Sequence, residues 1–505
     1  MADVFPVDGH DVNRDLAWKY DAIAYAAQAN PLSHPGHLAT VATLFGLDPP
    51  GVATCRVLEV GCSDGANLLP MASSLPAARL VGCDLSSRAI AAARRAAQEL
   101  GLTNVAFVER DLATIADDPE VYDYIIAHGV YSWVPAPVRD ALLALAARRL
   151  APHGVLYVSL NVFPGCHVRE AAWRILHHHV DRIADPRAKL DAARAFAGIM
   201  AENGNAQTET DALLRQEFRK LASQTDSALF HDDLAVPNDP VYFHEFAAHL
   251  ARHGLAFLAD AKLSMMTAAG LSPRMQQLVA GMDLLPREQY LDFARLRRFR
   301  QALVCRAGAA GAGTERAAGV SMMHVAAPMT LVRATAEGRT LVGEPAGADA
   351  NARAAHRVLK WLVDEAPRIV PVAAAVAWQQ ENAPEDAATA RPLASLLADA
   401  CYAGIAELHV HPPRLAAVAG ERPAASRVAR WQAERQRGLT NLRHEPLRID
   451  DPLALKLLVL VDGTRTRADL AAALSGLLPP AERDHAAQRV ETYLSQFALH
   501  GLLLP

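Results

Sequence analysis

The segment Val57-Leu58-Glu59-Val60-Gly61-Cys62-Ser63-Asp64-Gly65 joins an apolar strand to a glycine turn, with an acid near the strand's end. Asp84 follows the next apolar run and Asp111 the third. Carboxylates at successive strand ends suit a ligand rich in hydroxyl and amino groups. Asp84 stands where an acid accepts hydrogen bonds from two ribose hydroxyls, and Asp111 is placed for the exocyclic amine of adenine. Glu59 and Asp64 offer negative charge to an ammonium, while Gly61 and Gly65 let the backbone pass close beneath a ligand. A pyrophosphate turn of the GxGxxG kind would need glycine at 63 and 66, where the chain has Ser63 and Ala66. A lone aspartate after a strand is more often a turn or helix cap. Three acids in this order around a glycine turn point instead to an adenosyl group carrying an ammonium.

The combination points to S-adenosylmethionine as the expected ligand, and the fourth apolar run adds to the case. It leads into His128-Gly129-Val130-Tyr131-Ser132-Trp133-Val134-Pro135. Aromatic faces attract cations, so Tyr131 and Trp133 beside a sulfonium would channel a long side chain toward its methyl group; otherwise they pack the next helix. Methyl transfer is an in-line displacement, and an amine acceptor with an ordinary pKa near ~10.4 must first lose a proton. A desolvated pocket, Tyr131 or His128 could assist, and no spacing singles out the base. The candidate catalytic residues are Tyr131, His128 and Trp133. The candidate cofactor contacts are Glu59, Gly61, Cys62, Ser63, Asp64, Gly65, Asn67, Asp84, Leu85, Asp111, Leu112 and His128.

These residues need a scaffold that places strand ends together. Strands are expected at Arg56–Val60, Arg79–Cys83, Val105–Glu109, Tyr122–Ala127 and Gly154–Leu160, with helices at Ser86–Leu100 and Pro137–Leu150 between them. The alternation predicts an α/β, doubly wound Rossmann-like sheet, closed by Gly254–Leu258 and Phe299–Cys305. The domains expected are an N-terminal helical cap (1–50), a cofactor-binding core (51–180), a helical insertion serving as lid or dimer contact (181–240), completion of the sheet (241–307), a linker with a short hairpin formed by Met329–Val332 and Arg339–Val342 (308–352), and a mostly helical C-terminal region (353–505). Strands Ile405–Val410 and Leu502–Leu504, each after a helix ending at glycine, suggest a pair of winged-helix-like units.

A chain of 505 residues with 51% hydrophobic and 21% charged residues reads as several globular domains. A net charge of -5 gives no reason to expect nucleic acid. No apolar run suits a membrane span, the first 13 residues resemble no leader, and six scattered cysteines suit a reducing, cytoplasmic setting. No metal is expected: His177-His178-His179 diverge around a helix, and His249 and His253 lack an evident third ligand. Arg295, Arg297, Arg298 and Arg300 read as a solvated helix end.

With these residues in view, the chain resembles bacterial class I methyltransferases carrying a methyltransferase regulatory domain, the family that includes rickettsial protein lysine methyltransferases. The likeness lies in Ser33-His34-Pro35 with Leu38, in Arg56–Cys62 with Asn67, Leu68 and Pro70–Ala72, and in His128–Pro135. It continues through His231-Asp232, Asn238, Pro240–His244 and Gln289-Tyr290 to Phe299–Gln301. The resemblance implies S-adenosylmethionine as cofactor, a protein lysine as acceptor, and a homodimer formed through the insertion. Two departures stand out: Ser33 replaces a threonine, and Cys166 follows Pro164-Gly165 where an aromatic is expected, which would alter that wall of the substrate site. A small-molecule O- or N-methyltransferase is the alternative. A regulator that senses the cofactor and binds DNA is a third reading, disfavoured because Arg467–Leu477 carries few basic residues.

Overall fold

The computed structural model describes residues 23, 25, 27–112, 120–204, 206–309, 319–336, 338, 347–435 and 438–505. The expected leaderless first 13 residues, most of the linker and the hairpin half at Arg339–Val342 lie outside them.

Helix α1 (Pro35–Leu44) precedes the sheet. Strand β1 (Arg56–Val60) is buried apart from Arg56, and α2 (Leu68–Ser74) follows its glycine turn. Next come β2 (Arg79–Asp84), α3 (Ser87–Glu99), β3 (Val105–Glu109) and β4 (Tyr122–Ala127). Ser86 caps α3 by accepting from the Ala89 N–H at 3.1 Å. Ile90, Ala93 and Ala97 form its buried stripe, and Gly101, at φ +62°, lets the chain turn out of the helix. Every residue of β4 is buried, as expected of a parallel strand covered on both faces.

Helix α4 (Ala136–Arg149) leads into β5 (Leu150–Asn161). The chain then leaves the sheet for α5 (Cys166–Val180), α6 (Pro186–Glu202) and α7 (Glu209–Ser223). These helices share a core of Ala172, Leu176, Leu190, Ala193, Phe218 and Leu221. The insertion's core therefore starts within α5, ahead of the expected residue 181. Helix α8 (Phe243–Arg252), β6 (Leu255–Asp260), α9 (Leu284–Arg295) and β7 (Phe299–Arg306) return to the sheet.

The seven strands lie in the order β3-β2-β1-β4-β5-β7-β6, with β7 antiparallel between β5 and β6. Chain order reverses between β1 and β4, which opens a crevice at their carboxyl ends. The basic cluster is not a solvated helix end. Arg300 and Arg297 are 0% and 6% exposed; Arg300 pairs with Asp292 at 2.8 Å and Glu288 at 3.1 Å, Arg297 pairs with Asp260, and Arg298 grips Glu217 of α7 through two 2.7 Å bonds. Alternation hid these partners because they come from other elements.

Beyond the sheet, β8 (His324–Ala326) pairs with β9 (Val370–Pro371) and β10 (Glu407–His409). Met329–Val332 does not form a hairpin strand: it starts helix α10 (Met329–Ala336), with Met329 and Leu331 buried. The last module contains α11 (Arg427–Glu434), β11 (Leu439–Thr440), β12 (Pro446–Leu447), α12 (Pro452–Leu460), α13 (Arg467–Ser475) and α14 (Ala486–Leu499). It has its own core around Leu457, Leu458, Leu470, Leu494 and Phe497, and it docks on α3, where Trp431 Nε1 donates to Glu99 Oε2 at 2.7 Å.

Candidate functional site

A cavity of about 730 Å³ opens at the carboxyl ends of β1, β2 and β4, at the reversal of strand order. The sheet supplies one side of it. Tyr25 and 27–31 supply another, with His231 and Asp232 from the segment before α8, Gln301 of β7 and Pro446 of β12.

The glycine turn is shaped by positive φ: Gly61 at +71°, Ser63 at +49° and Gly65 at +77°. Ser63 thus holds the backbone region that glycine would occupy in a dinucleotide turn, at a cost on the order of 1 kcal/mol. The strain is opposed by Asp84, whose carboxylate accepts from the Ser63 N–H and the Ser86 N–H, each at 2.9 Å. Asp84 is therefore both the cap that a lone aspartate suggests and a wall of the cavity. A Cβ on Gly61 would meet Val130 at 3.0 Å, whereas one on Gly65 would strike the Phe107 ring at 2.7 Å. Gly65 does not line the cavity; it seats the turn on β3. Cys62, Ser63, Asp64, Asn67, Leu85, Asp111 and Leu112 all line it.

Glu59 is 4% exposed. Its Oε1 accepts from Asn67 Nδ2 at 2.7 Å, while its buried Oε2 has no hydrogen-bond partner among the described residues. Burial, opposed by the Asn67 bond and assisted by Asp84, pushes its carboxyl up to about 8. Such a group calls for a cation.

His128 lines the cavity, and its Nδ1 lies 3.3 Å from Asn30 Nδ2 and 3.1 Å from the Tyr157 hydroxyl. Asn30 Oδ1 accepts from the Leu32 N–H at 3.1 Å, so Nδ2 is the donor end of that amide. His128 Nδ1 is then an acceptor and Nε2 carries the proton. Burial lowers its pKa to about 4. A neutral imidazole protonated at Nε2 donates to a ligand and does not deprotonate it through that atom.

Trp133 lines the cavity, with its indole N–H buried and without a partner among the described residues. Tyr131 does not line it. Tyr131 is 2% exposed; its ring lies edge-on to Phe246 at 5.2 Å and its hydroxyl meets His249 Nδ1 at 2.8 Å. The i,i+2 spacing of two aromatics in a short 3-10 turn sends them to different sides. Reading strand ends also missed Tyr25 and Asp232 as cavity residues, because long-range packing brings them there. Burial first, then Asp233, raises the Asp232 carboxyl to about 6.

Cys166 is buried, 3.2 Å from the Arg298 carbonyl, and is no wall of the cavity. All six cysteines are free, and all but Cys401 are buried. Tertiary contact gives the His249/His253 pair the third group that the sequence did not show: Asp140 Oδ1 lies 3.3 and 2.9 Å from their Nε2 atoms. The three ligand atoms lie within 4.8 Å of one another, near enough to share one ion.

Residues 57–154 match a family described as a methyltransferase domain, residues 225–306 one described as "Predicted methyltransferase regulatory domain", and residues 421–482 one described as "PKMT, C-terminal winged helix domain". The winged-helix match spans one unit where the sequence suggested a pair. An uncharacterized protein of Rickettsia prowazekii is 36% identical over 288 residues, or 57% of this chain and 52% of that one, so the chain spans about half the length of that relative. A trans-aconitate 2-methyltransferase of Methylobacterium nodulans is 34% identical over 111 residues, 22% of this chain and 40% of that one. The structure of PKMT2 from Rickettsia typhi in complex with AdoHcy superposes with a TM-score of 0.81 at 22% identity, covering 95% of this chain and 100% of that one, a likeness of fold. By its strand order and the superposition the chain has a Rossmann-like methyltransferase fold, and its segments are similar to a methyltransferase domain, a methyltransferase regulatory domain and a C-terminal winged helix.

Proposed function

We propose that this chain is an S-adenosylmethionine-dependent methyltransferase whose acceptor is a lysine side chain of a protein. The observation that carries the cofactor reading is the buried, half-satisfied Glu59 carboxyl group in a cavity that also holds Asp84 and Asp111. The residues fit: Glu59 Oε2 would take the methionine ammonium, Asp84 the ribose and Asp111 the adenine amine, while Gly61 leaves room for the cofactor's backbone-side face. Bound there, S-adenosylmethionine supplies an electrophilic methyl group on a sulfonium.

The rest is the work of the chain's own residues. Trp133 and Tyr25 give the cavity aromatic faces that attract a cationic side chain. Asp232 is the one lining acid that comes from the regulatory segment, and above about pH 6 it is a carboxylate able to hold an ammonium. His128 donates from Nε2. Burial away from water favours the neutral amine needed for attack. The fold shared with PKMT2 supports a protein acceptor, whereas the trans-aconitate methyltransferase match covers too little of the chain to support a small acid.

Cytoplasmic location and a homodimer belong to the same proposal. No helix among the described residues is long and apolar enough to cross a membrane, and the insertion carries exposed Ile199 and Leu213. The purified chain, incubated with methyl-tritiated cofactor and bacterial lysate, should label protein bands whose hydrolysates contain methyllysine. Label found only in small molecules would overturn the acceptor; no label and no cofactor binding would overturn the activity.

A further inference from the structure

The turn between β11 and β12 carries His444, whose side chain reaches the middle of the cofactor cavity's hydrogen-bond network. His444 is 4% exposed and holds φ +64°, a conformation uncommon for a residue with a Cβ. Its turn is fixed to the C-terminal module: Asn441 Oδ1 accepts from the Arg443 N–H at 3.0 Å and the Glu445 N–H at 2.8 Å, Asn441 Nδ2 donates to the His500 carbonyl at 3.0 Å, and the Leu442 N–H donates to the Gly501 carbonyl at 2.8 Å. His444 Nε2 lies 2.8 Å from Asn67 Oδ1.

The direction of that bond follows from the neighbours of Asn67. Asn67 Oδ1 already accepts from the Asn30 N–H at 2.9 Å, and its Nδ2 donates to Ser33 Oγ at 3.1 Å and Glu59 Oε1 at 2.7 Å. The amide cannot be turned without setting its NH₂ against a backbone donor, so His444 must present an N–H. Burial, with the His34 ring nearby, holds its pKa well below the ordinary value and keeps it neutral. Asn67 is thereby clamped at both ends, with Glu59 Oε2 left for the ligand.

We propose that His444 is a positioning residue of the cofactor site: through Asn67 it fixes Glu59 against the cofactor's ammonium, which makes the C-terminal module a working part of a site built on the first sheet. Pro446, two residues on, lines the same cavity. This rests on the reading of the cavity as an S-adenosylmethionine site. The effect must be confined to the amino-acid end of the ligand, because nothing in this chain of bonds touches the adenosine.

Isothermal titration of the full chain with S-adenosylhomocysteine and with 5′-methylthioadenosine, which has the same adenosyl sulfur but no ammonium, tests this. His444→Ala should weaken S-adenosylhomocysteine about tenfold and leave methylthioadenosine unchanged; His444→Gln, which keeps an N–H donor, should recover part of the loss. Equal weakening of both ligands, or of neither, overturns the proposal. Wild type failing to bind S-adenosylhomocysteine overturns the cofactor reading instead. A measurement that needs no variant is the ¹⁵N spectrum of the imidazoles: His444 should be the neutral Nε2–H tautomer and shift with S-adenosylhomocysteine but not with methylthioadenosine. The Nδ1–H tautomer, or an equal response to both ligands, would refute it.

Discussion

Glu59 makes cofactor binding a proton-release reaction. Its carboxyl is raised from 4.5 to about 8 in the free protein, so at pH 7 roughly nine-tenths of it is protonated, whereas a bound ammonium requires the carboxylate. S-adenosylhomocysteine, whose amine stays protonated in this range, should therefore release about 0.9 proton per molecule at pH 7. Its affinity should rise by more than tenfold from pH 6 to pH 8, or about 2 kcal/mol. Titration calorimetry at pH 7 in buffers of different ionisation enthalpy reads the released proton directly. Glu59→Gln should abolish the buffer dependence and cost about 1.5–3 kcal/mol of affinity. The same shift sets the sign for the free protein's stability. A carboxyl raised on folding contributes fully below 4.5 and loses that contribution as pH rises through about 8, by at most about 5 kcal/mol. Chemical denaturation should thus find the ligand-free Glu59→Gln chain more stable than wild type at pH 8. Tight ligand binding with buffer-independent heats at pH 7 would refute the reasoning, because Glu59 would then be ionised already or remote from the ammonium.

Asp232→Asn should lower kcat/KM for a lysine peptide about 10- to 100-fold while leaving S-adenosylhomocysteine affinity unchanged; peptide kinetics with a calorimetric control check both. In wild type, acceptor affinity should fall below about pH 6 as Asp232 protonates, read as a rise in peptide KM. Arg300→Met strips the buried Asp292 and Glu288 of their cation and should destabilise the chain by about 3–5 kcal/mol, measured by urea unfolding. Tyr131→Phe removes a bond to His249 and should leave cofactor affinity within about twofold, since Tyr131 does not line the cavity; a loss beyond tenfold would return it to the site.

The strands could be read because each central one is a short apolar run between turn formers, and burial on both faces of a parallel sheet demands such runs. Glu59, Asp84 and Asp111 could be read because strand ends meet at one rim, so order along the chain becomes order in space. The same reading failed where no local rule applies. Met329–Val332 has the composition of a strand, and packing made it part of a helix. The arginines near residue 300 looked solvated because their carboxylates lie on other elements. Tyr131 and Trp133 share a motif, yet only Trp133 faces the cavity.

The amino-acid order by itself determined the class of sheet, the position of its ligand crevice and the acids at its rim, since these depend on alternation, turn chemistry and spacing within about 60 residues of chain. Tertiary structure alone decided the protonation tendency of Glu59, the tautomer of His128, the arrival of Asp232 at the cavity and the contact of His444 with Asn67 in its wall. Desolvation and hydrogen-bond direction depend on every neighbour in three dimensions, and for Asn67 one of those neighbours stands 377 positions away.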